Sequence, residues 1–407
     1  MLMADLFLKY VKTEKCVNCG FCGSVVRCPG SGYCIGCGSC YVACPYMARE
    51  PVEDHEPRRK IKIIVDGTVY EVAEKTTVMR ALESLGYRFT RFPEENAIFS
   101  PCLTGGCYSC SVIVNGEAKP ACHTEVKDGD VISTNVEGVE PLRIVEGFSP
   151  HQVGGVGTPY WVKGKAGYIE VAAFAAGCNL RCPTCQNYFV TYNSALPAMT
   201  PNEAAWKLSL MRKRYGVDRM AISGGEATLN HDWIVKFFKK LRRLNPDENA
   251  RFHLDTNATV LTRERIDDLI MAGVTDIGPD LKAFRLETFQ LITGIEDKEL
   301  ALKYLKTSWD AVKYIADNYY PEMVFMGIGI PYNRFFYPTL EELLKMGEKI
   351  ASIDPDVQVC VLDYRPEFRR REIVQPTPKE MLRVKEALNG VGLRKVIVQT
   401  IAGHFGP

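Results

Sequence analysis

Cysteine is the residue type that first suggests chemistry in this chain, because 16 occur and all but one fall into three tight groups. Repeated Cys-x2-Cys steps let one loop present several thiolates to a single inorganic core, which a disulfide framework does not require. Such thiolates persist in a reducing compartment, so we expect a cytoplasmic protein. The grouped residues are Cys16, Cys19, Cys22, Cys28, Cys34, Cys37, Cys40 and Cys44; Cys102, Cys107, Cys110 and Cys122; and Cys178, Cys182 and Cys185.

The first group ends in the run Cys34-x2-Cys37-x2-Cys40-x3-Cys44-Pro45. This run is typical of bacterial two-cluster ferredoxins, in which the fourth cysteine ligates the other cluster. Residues 1–50 resemble such a dicluster ferredoxin, although the first run has five residues before its fourth cysteine instead of three. A pair of zinc sites is the alternative, but zinc rarely needs three thiols so spaced. The resemblance implies two [4Fe–4S] clusters, one held by Cys16, Cys19, Cys22 and Cys44 and one by Cys28, Cys34, Cys37 and Cys40.

The second group has the spacing Cys102-x4-Cys107-x2-Cys110-x11-Cys122. It follows a predicted hairpin that turns at Asp66-Gly67 and a helix that Thr77 can cap. Residues 58–140 resemble the β-grasp [2Fe–2S] ferredoxins, particularly those of the succinate dehydrogenase type, and the resemblance implies one [2Fe–2S] cluster. Gly105 and Gly106 suit a loop that wraps closely round a cluster. A zinc ion in the same fold is the alternative.

The third group, Cys178-x3-Cys182-x2-Cys185, has no plausible fourth cysteine nearby. Three thiolates hold three irons of a cubane and leave the fourth iron open to a ligand with an amine and a carboxylate. The region from residue 160 to 407 resembles the radical S-adenosylmethionine (SAM) enzymes. In that family the open iron binds SAM, and an electron from this third [4Fe–4S] cluster splits the sulfonium into methionine and a 5′-deoxyadenosyl radical.

Alternating strands and helices must position this cysteine loop. Three helix starts carry capping boxes, at Thr200, Thr339 and Thr377. Repeated strand–helix units predict an α/β fold with a parallel sheet, which we interpret as a radical SAM partial (β/α)6 TIM barrel spanning 160–407. The chemistry of such barrels lies at the carboxyl ends of the strands. The predicted strands are 168–175, 218–223, 251–256, 275–281, 323–330, 357–363 and 393–399.

Further site residues follow predicted strand ends. Gly224-Gly225-Glu226 matches the GGE motif, which in the family contacts the SAM amino group; Ala227 replaces the usual proline. A closer resemblance, to pyruvate formate-lyase-activating enzyme and its relatives, rests on residues 253–257 and 280–282. It implies that Lys282 contacts the SAM carboxylate, and Arg365 stands where relatives place a ribose-contacting histidine. The predicted cofactor-binding set is completed by Asp255, Asn257 and Asn187, and the implied monovalent-cation ligands are Asp255, Thr256, Asp280 and the backbone of Gly278.

Two features outside these motifs receive simpler interpretations. Cys360 lies in an apolar predicted strand and is expected to be a buried, inert thiol. A basic cluster near a strand end is either a solvated face or a contact for an anionic substrate or partner. It comprises Arg365, Arg369, Arg370 and Arg371.

Composition narrows the function classes. Lys and Arg number 50 against 49 Asp and Glu, so the net charge of +1 gives little support for nucleic-acid binding. No apolar stretch approaches the ~20 residues of a membrane helix, and residues 1–5 lack the pattern of a secretory signal. We therefore expect neither nucleic acid nor a membrane as a partner.

The combined prediction is a radical SAM oxidoreductase of the activating-enzyme type, in which the fused ferredoxin modules relay electrons from a low-potential donor. Its radical would remove a hydrogen atom from a substrate, with a protein or peptide backbone as the first expectation. Alternatives are radical modification of another peptide, a cofactor precursor or a small metabolite, including methyl transfer. A pure electron-transfer protein is a third possibility.

Overall fold

The computed structural model describes residues 7–30 and 32–407; residues 1–5, which bear on the secretory-signal expectation, lie outside them. The chain forms two compact units. The first comprises Met1–Val145, Ala175–Asn179 and Asn187–Thr200, and the second comprises Glu146–Phe174, Leu180–Gln186 and Pro201–Pro407. Within the described residues, no helix has the length and apolar character needed to cross a membrane.

The first unit begins with a small cysteine-rich module. Strand β1 (Leu8–Lys12) pairs antiparallel with β2 (Arg49–Glu53), and two short helices lie between them, α1 (Phe21–Ser24) and α2 (Ser39–Ala43). Gly20 and Gly38 precede these helices in the left-handed region, at φ 78° and 73°, each directly after a cysteine. The two halves therefore repeat the same turn, as expected of a two-cluster ferredoxin.

A β-grasp module follows. The antiparallel hairpin of β3 (Lys60–Val65) and β4 (Thr68–Ala73) turns at Asp66 and Gly67, both with positive φ, which is the geometry that favours this dipeptide. Thr77 caps helix α3 (Val78–Ser84) by accepting a hydrogen bond from Arg80 N, as predicted. The remaining strands are β5 (Phe89–Thr90), β6 (Ile98–Phe99), β7 (Ser111–Val114), β8 (Glu117–Pro120) and β9 (Val131–Ser133), and the sheet order is β4-β3-β9-β7-β8.

The sheet of the second unit is the partial barrel. Among the described residues its order is β10 (Val145–His151), β11 (Glu170–Ala175), β12 (Arg219–Gly224), β13 (Arg251–Thr256), β14 (Asp276–Pro279), β15 (Phe325–Tyr332), β16 (Gln358–Asp363), β17 (Lys395–Thr400) and β18 (Gly403–Phe405). Neighbours from β12 to β17 pair in parallel, and β18 pairs antiparallel with β17. The nearly continuous burial of β15 and β16 is typical of a parallel sheet covered on both faces.

Helices connect these strands, and α4 (Tyr188–Thr191) belongs to the first unit. The Thr377 side chain accepts a hydrogen bond from Glu380 N, which confirms its predicted cap. The connecting helices are α5 (Pro201–Tyr215), α6 (His231–Leu244), α7 (Arg263–Ala272), α8 (Leu286–Thr293), α9 (Lys298–Asn318), α10 (Glu341–Ile353) and α11 (Pro378–Gly390).

A glycine-rich stretch between the β-grasp module and β11 is packed against the barrel strands. We call residues 154–160 the inner segment. Its Val156 N donates to Asp255 Oδ1 at 3.1 Å, and the Gln358 amide bonds the Thr158 carbonyl at 2.9 Å and Tyr160 N at 2.7 Å. Two strands of the second unit, β13 and β16, are thus bonded to a segment that lies mostly before the predicted domain start at 160, a boundary that stays a prediction.

Candidate active site and cluster ligands

The four cysteines of the β-grasp module lie together in its core. Each is 1% exposed, and the sulfurs of Cys102 and Cys107 are 3.1 Å apart. Hydrogen bonds from Cys107 and Cys122 hold the pKa of the Cys102 thiol well below its usual range, whereas burial raises that of Cys107. Backbone amides of Thr104 and Ser109 point at the two sulfurs at 3.5 Å. Buried thiols surrounded by amide donors fit a [2Fe–2S] cluster.

The cysteines of the first module separate into the two sets expected from the ferredoxin resemblance. One set lines a cavity of about 130 Å³ beside Arg49, whose guanidinium donates to Cys22 Sγ at 3.3 Å. Burial raises the pKa of Cys40 to about 12, offset in part by Arg49, and its charge interactions are with the other cysteines of its own set. Ligation of clusters by these sets stays a prediction. The first set is Cys16, Cys19, Cys22 and Cys44, and the second is Cys28, Cys34, Cys37 and Cys40.

No disulfide links the cysteines of the described residues. The third group forms a loop that follows the carboxyl end of β11; Cys178 belongs to the first unit, and Cys182 and Cys185 to the second. Burial raises the pKa of Cys182 to about 12, and the nearby Lys282 ammonium acts in the opposite direction. The Pro183 carbonyl accepts bonds from the backbone N–H groups of Arg369 and Arg370 at 3.0 and 3.1 Å. The basic cluster thus includes backbone contacts to the cysteine loop.

Lys282 follows the carboxyl end of β14, in the neighbourhood of Cys182. Its ammonium lies 2.7 Å from Asp280 Oδ2 and 3.1 Å from the Tyr364 hydroxyl. Burial acts to lower its pKa, but the charges of Asp280, Tyr364 and Cys182 raise it well above the usual value. A fixed, buried ammonium fits the predicted role of binding the SAM carboxylate.

Glu226 lies just beyond the carboxyl end of β12 and joins it to β13. Its side chain is 1% exposed. Oε1 accepts hydrogen bonds from Thr228 N at 2.9 Å, the Thr228 hydroxyl at 2.6 Å and the Thr256 hydroxyl at 2.8 Å, and Oε2 accepts one from Asn257 N at 2.6 Å. The carboxylate therefore positions two loops of the site, and its contact with the SAM amino group stays a prediction.

The acidic groups proposed for a monovalent cation end β13 and follow β14. Asp255 Oδ1 is 3.1 Å from His253, which is fully buried. Burial alone would lower the His253 pKa, but the charge of Asp255 and a hydrogen bond to Glu170 raise it to about 9. Asp280 Oδ1 is buried without a hydrogen-bond partner, a fit for a cation. Binding of a cation by these residues stays a prediction.

The remaining predicted residues occupy loops. Gly224 has φ 118° and, with Gly225, leads from β12 to Glu226. Asn257 Oδ1 accepts bonds from the backbone and hydroxyl of Thr259, so its amide is held within its own turn. Asn187 precedes α4 in the first unit.

Tyr364 is a site residue that the sequence did not predict, and it lies next to Arg365. Arg365 is paired with the buried Asp363 at 2.9 Å, and the neighbouring Tyr364 is the residue that contacts Lys282. Sequence reasoning missed Tyr364 because it considered only the aligned position. No local sequence signal marks this contact, because Tyr364 and Lys282 are 82 residues apart in the chain.

Comparison with known families agrees with this geometry. Residues 173–335 match the model of the radical SAM superfamily. Residues 173–335 therefore form a radical SAM domain. Preceding its radical SAM domain, residues 58–137 match a 2Fe-2S iron-sulfur cluster binding domain and residues 31–50 a 4Fe-4S binding domain. The fused ferredoxin-like modules expected from the cysteine spacing are thereby confirmed.

Individual relatives match parts of this chain. An uncharacterised iron-sulfur protein of Methanocaldococcus jannaschii is 41% identical over 75 residues, 18% of this chain and 13% of that protein. Pyruvate formate-lyase-activating enzyme of Streptococcus mutans is 24% identical over 233 residues, 52% of this chain and 78% of that enzyme. A crystal structure of Streptococcus suis SuiB bound to precursor peptide SuiA has 16% identity and a TM-score of 0.40, covering 52% of this chain and 43% of SuiB.

Proposed function

We propose that this radical SAM protein reductively cleaves SAM and removes a hydrogen atom from a protein or peptide substrate, in the manner of an activating enzyme. The observation that carries the proposal is the three-cysteine loop at the end of β11 together with the buried Lys282 ammonium, whose charge acts on Cys182. When bound, the cluster and SAM supply the one-electron cleavage that yields methionine and a 5′-deoxyadenosyl radical.

The chain's own residues have separate tasks in this proposal. Cys178, Cys182 and Cys185 would hold the cluster and leave one iron for SAM. Lys282 would bind the SAM carboxylate, and the Asp280 partner fixes the ammonium at 2.7 Å. Glu226 holds the ends of β12 and β13 at the distances given above, so that Gly224, Gly225 and Asn257 are in place before SAM arrives.

The substrate class rests on the relationship to pyruvate formate-lyase-activating enzyme, which this chain matches over 78% of that enzyme's length. The proposed source of electrons is a low-potential donor that docks to the ferredoxin modules. The grouping of 15 of the 16 cysteines at cluster-ligand spacings supports a reducing, cytoplasmic location. Fusing the carrier to the enzyme replaces a diffusional encounter by an intramolecular step.

The test is anaerobic incubation of the reconstituted full chain with SAM and dithionite. We expect 5′-deoxyadenosine from the wild type, none from Cys182→Ala, and wild-type amounts from Cys360→Ala, a matched control because Cys360 is a buried thiol in β16 outside the three groups. Absence of 5′-deoxyadenosine from the wild type with a full iron content contradicts the proposal.

A second measurement addresses the substrate. Incubation with a candidate glycyl-radical partner should raise a glycyl signal in electron paramagnetic resonance (EPR). Deuterium passing into 5′-deoxyadenosine from a small metabolite, with no protein radical from any partner, would refute the activase version and favour modification of a metabolite.

A further inference from the structure

Residues immediately next to predicted cluster ligands join the sets of cysteines within the first unit. His123 follows Cys122, and its Nδ1 lies 2.9 Å from the hydroxyl of Ser39, which precedes Cys40. The same hydroxyl is 3.1 Å from the carbonyl of Leu103, which follows Cys102. The second ferredoxin set and the β-grasp set are therefore bridged by side chains one residue away from a ligand on each side.

The imidazole of His123 makes two more contacts. Its Nε2 lies 3.2 Å from the carbonyl of Arg27, which precedes Cys28, and 3.2 Å from the Ser194 hydroxyl. Because the Arg27 carbonyl can only accept, this contact places a ring proton on Nε2, and the single proton of the Ser39 hydroxyl is shared between Nδ1 and the Leu103 carbonyl. His123 thus contacts both sides of the second ferredoxin set.

Arg49 makes the corresponding connection between the two ferredoxin sets. Its guanidinium donates to Cys22 of the first set at 3.3 Å, and its charge acts on Cys40 of the second set. A single cation therefore stabilises negative charge in both sets.

The β-grasp set in turn approaches the radical SAM loop through backbone. Gly177 precedes Cys178 and has φ +83°; a methyl group on it would lie 2.7 Å from both N and Cβ of Cys107. A methyl group on Gly106 would lie 3.0 Å from Gly177 N. Side chains are excluded at both positions, so the backbones come into direct contact. One peptide unit then separates Gly177 from the first cysteine of the loop.

A second route for electrons to the radical SAM loop starts from the first ferredoxin set. Phe21, which precedes Cys22, packs on Tyr188 and Phe189 with ring centroids 5.7 and 5.3 Å apart. Tyr188 lies three residues beyond Cys185, so this path crosses two side chains and three residues of backbone. The rate of electron tunnelling falls steeply with distance and is higher along short bonded routes. The Cys107–Gly177 contact is therefore the better route to the radical SAM loop.

We propose that electrons pass from the first ferredoxin set through the second to the β-grasp set and enter the radical SAM loop at the Cys107–Gly177 contact. This order rests on the proposed function. Cys102, Cys107, Cys110 and Cys122 would hold the [2Fe–2S] centre that gives up one electron, and Cys178, Cys182 and Cys185 would hold the [4Fe–4S] centre that accepts it; no bond or proton would change. A low-potential one-electron donor of the ferredoxin or flavodoxin class supplies the electron.

Magnetic coupling tests the order without measuring turnover. The full chain, reconstituted and reduced with dithionite, is studied by EPR under conditions where the [2Fe–2S] signal is resolved. We expect the [2Fe–2S] signal to relax faster when the loop cluster is reduced, and its relaxation to change when SAM is added. Both effects should be lost in Cys182→Ala and retained in Cys16→Ala. A [2Fe–2S] signal that is indifferent to Cys182→Ala, or effects that disappear in Cys16→Ala, would overturn the proposed order.

A pair of glycine variants tests the contact itself. Gly177→Ala should weaken the coupling because the methyl group forces Cys107 and Gly177 apart, whereas Gly167→Ala should not. Gly167 is a matched control, with φ +85° and no atom within 4 Å of an added methyl group. Equal coupling in both variants would overturn the assignment of the contact. Failure of the proposed function is distinguishable, because it appears as absence of 5′-deoxyadenosine from the wild type whatever the coupling.

Discussion

Replacing Glu226 by glutamine is expected to destabilise the radical SAM domain and weaken SAM binding together. The carboxylate accepts four hydrogen bonds in a buried position. An amide retains one acceptor oxygen, but its NH2 group faces a backbone N–H, either that of Asn257 or that of Thr228. One buried donor then stays unpaired and the others lose charge assistance, a cost of about 2 to 4 kcal/mol.

For a domain of this size, that cost lowers the midpoint of thermal unfolding by roughly 5 to 15 °C. Because Asn257 and Thr256 shift with Glu226, we also expect SAM affinity to fall about tenfold, or about 1.4 kcal/mol. Anaerobic calorimetry of the holoprotein gives the first quantity and titration with SAM gives the second.

Asp276→Asn is the matched control, because Asp276 is a buried carboxylate at the start of β14, opposite the site, and pairs with Arg219 at 2.8 Å. Breaking a buried ion pair lowers the unfolding midpoint by a similar amount. The SAM affinity of Asp276→Asn should nevertheless equal that of the wild type. If Glu226→Gln leaves the midpoint within 1 °C of wild type, or if the control weakens SAM equally, the positioning role is refuted.

Three further perturbations have defined outcomes. The His253 pKa is raised to about 9, above its unfolded value, so the ion pair of His253 with Asp255 contributes about 3 kcal/mol of stability below pH ~6.5, and this contribution is lost as the pH rises through 9. Urea unfolding of His253→Gln should therefore show no such loss of stability at alkaline pH. Parallel pH profiles of the wild type and the variant would contradict this prediction. Gly105→Ala should lower the [2Fe–2S] content measured by visible absorption, because Gly105 has φ +82° and an added methyl group would lie 2.8 Å from His123 Cβ. A full cluster content in this variant would argue against this packing. Arg49→Gln should lower the reduction potentials of the ferredoxin centres by on the order of tens of mV in an EPR-monitored redox titration, because a nearby cation stabilises the more negative reduced state. Unchanged reduction potentials would show that the charge of Arg49 is screened.

Local rules predicted much of the architecture. The hairpin at Asp66-Gly67, the cap at Thr77 and the barrel strands from β11 to β17 follow from turn chemistry and from apolar runs of strand length, which depend on near neighbours only. The division of the first eight cysteines into two sets, which the ferredoxin resemblance implies, stays a prediction.

Contacts distant in sequence could not be predicted in this way. Nothing local to Tyr364 shows that its hydroxyl meets Lys282, and nothing near residue 156 shows that its amide bonds Asp255. The role of Glu226 in joining two loops depends on the register of β12 and β13, which a single sequence does not specify.

The inner segment has a practical consequence for dissecting the protein. A fragment starting at residue 160 would discard the amide that bonds Asp255 and the carbonyls that bond Gln358, and would leave these strand side chains without their partners. Cutting the chain at residue 160 would therefore destabilise the barrel fragment that the cut is meant to isolate. A fragment beginning ahead of β10 retains these anchors and is the better starting point.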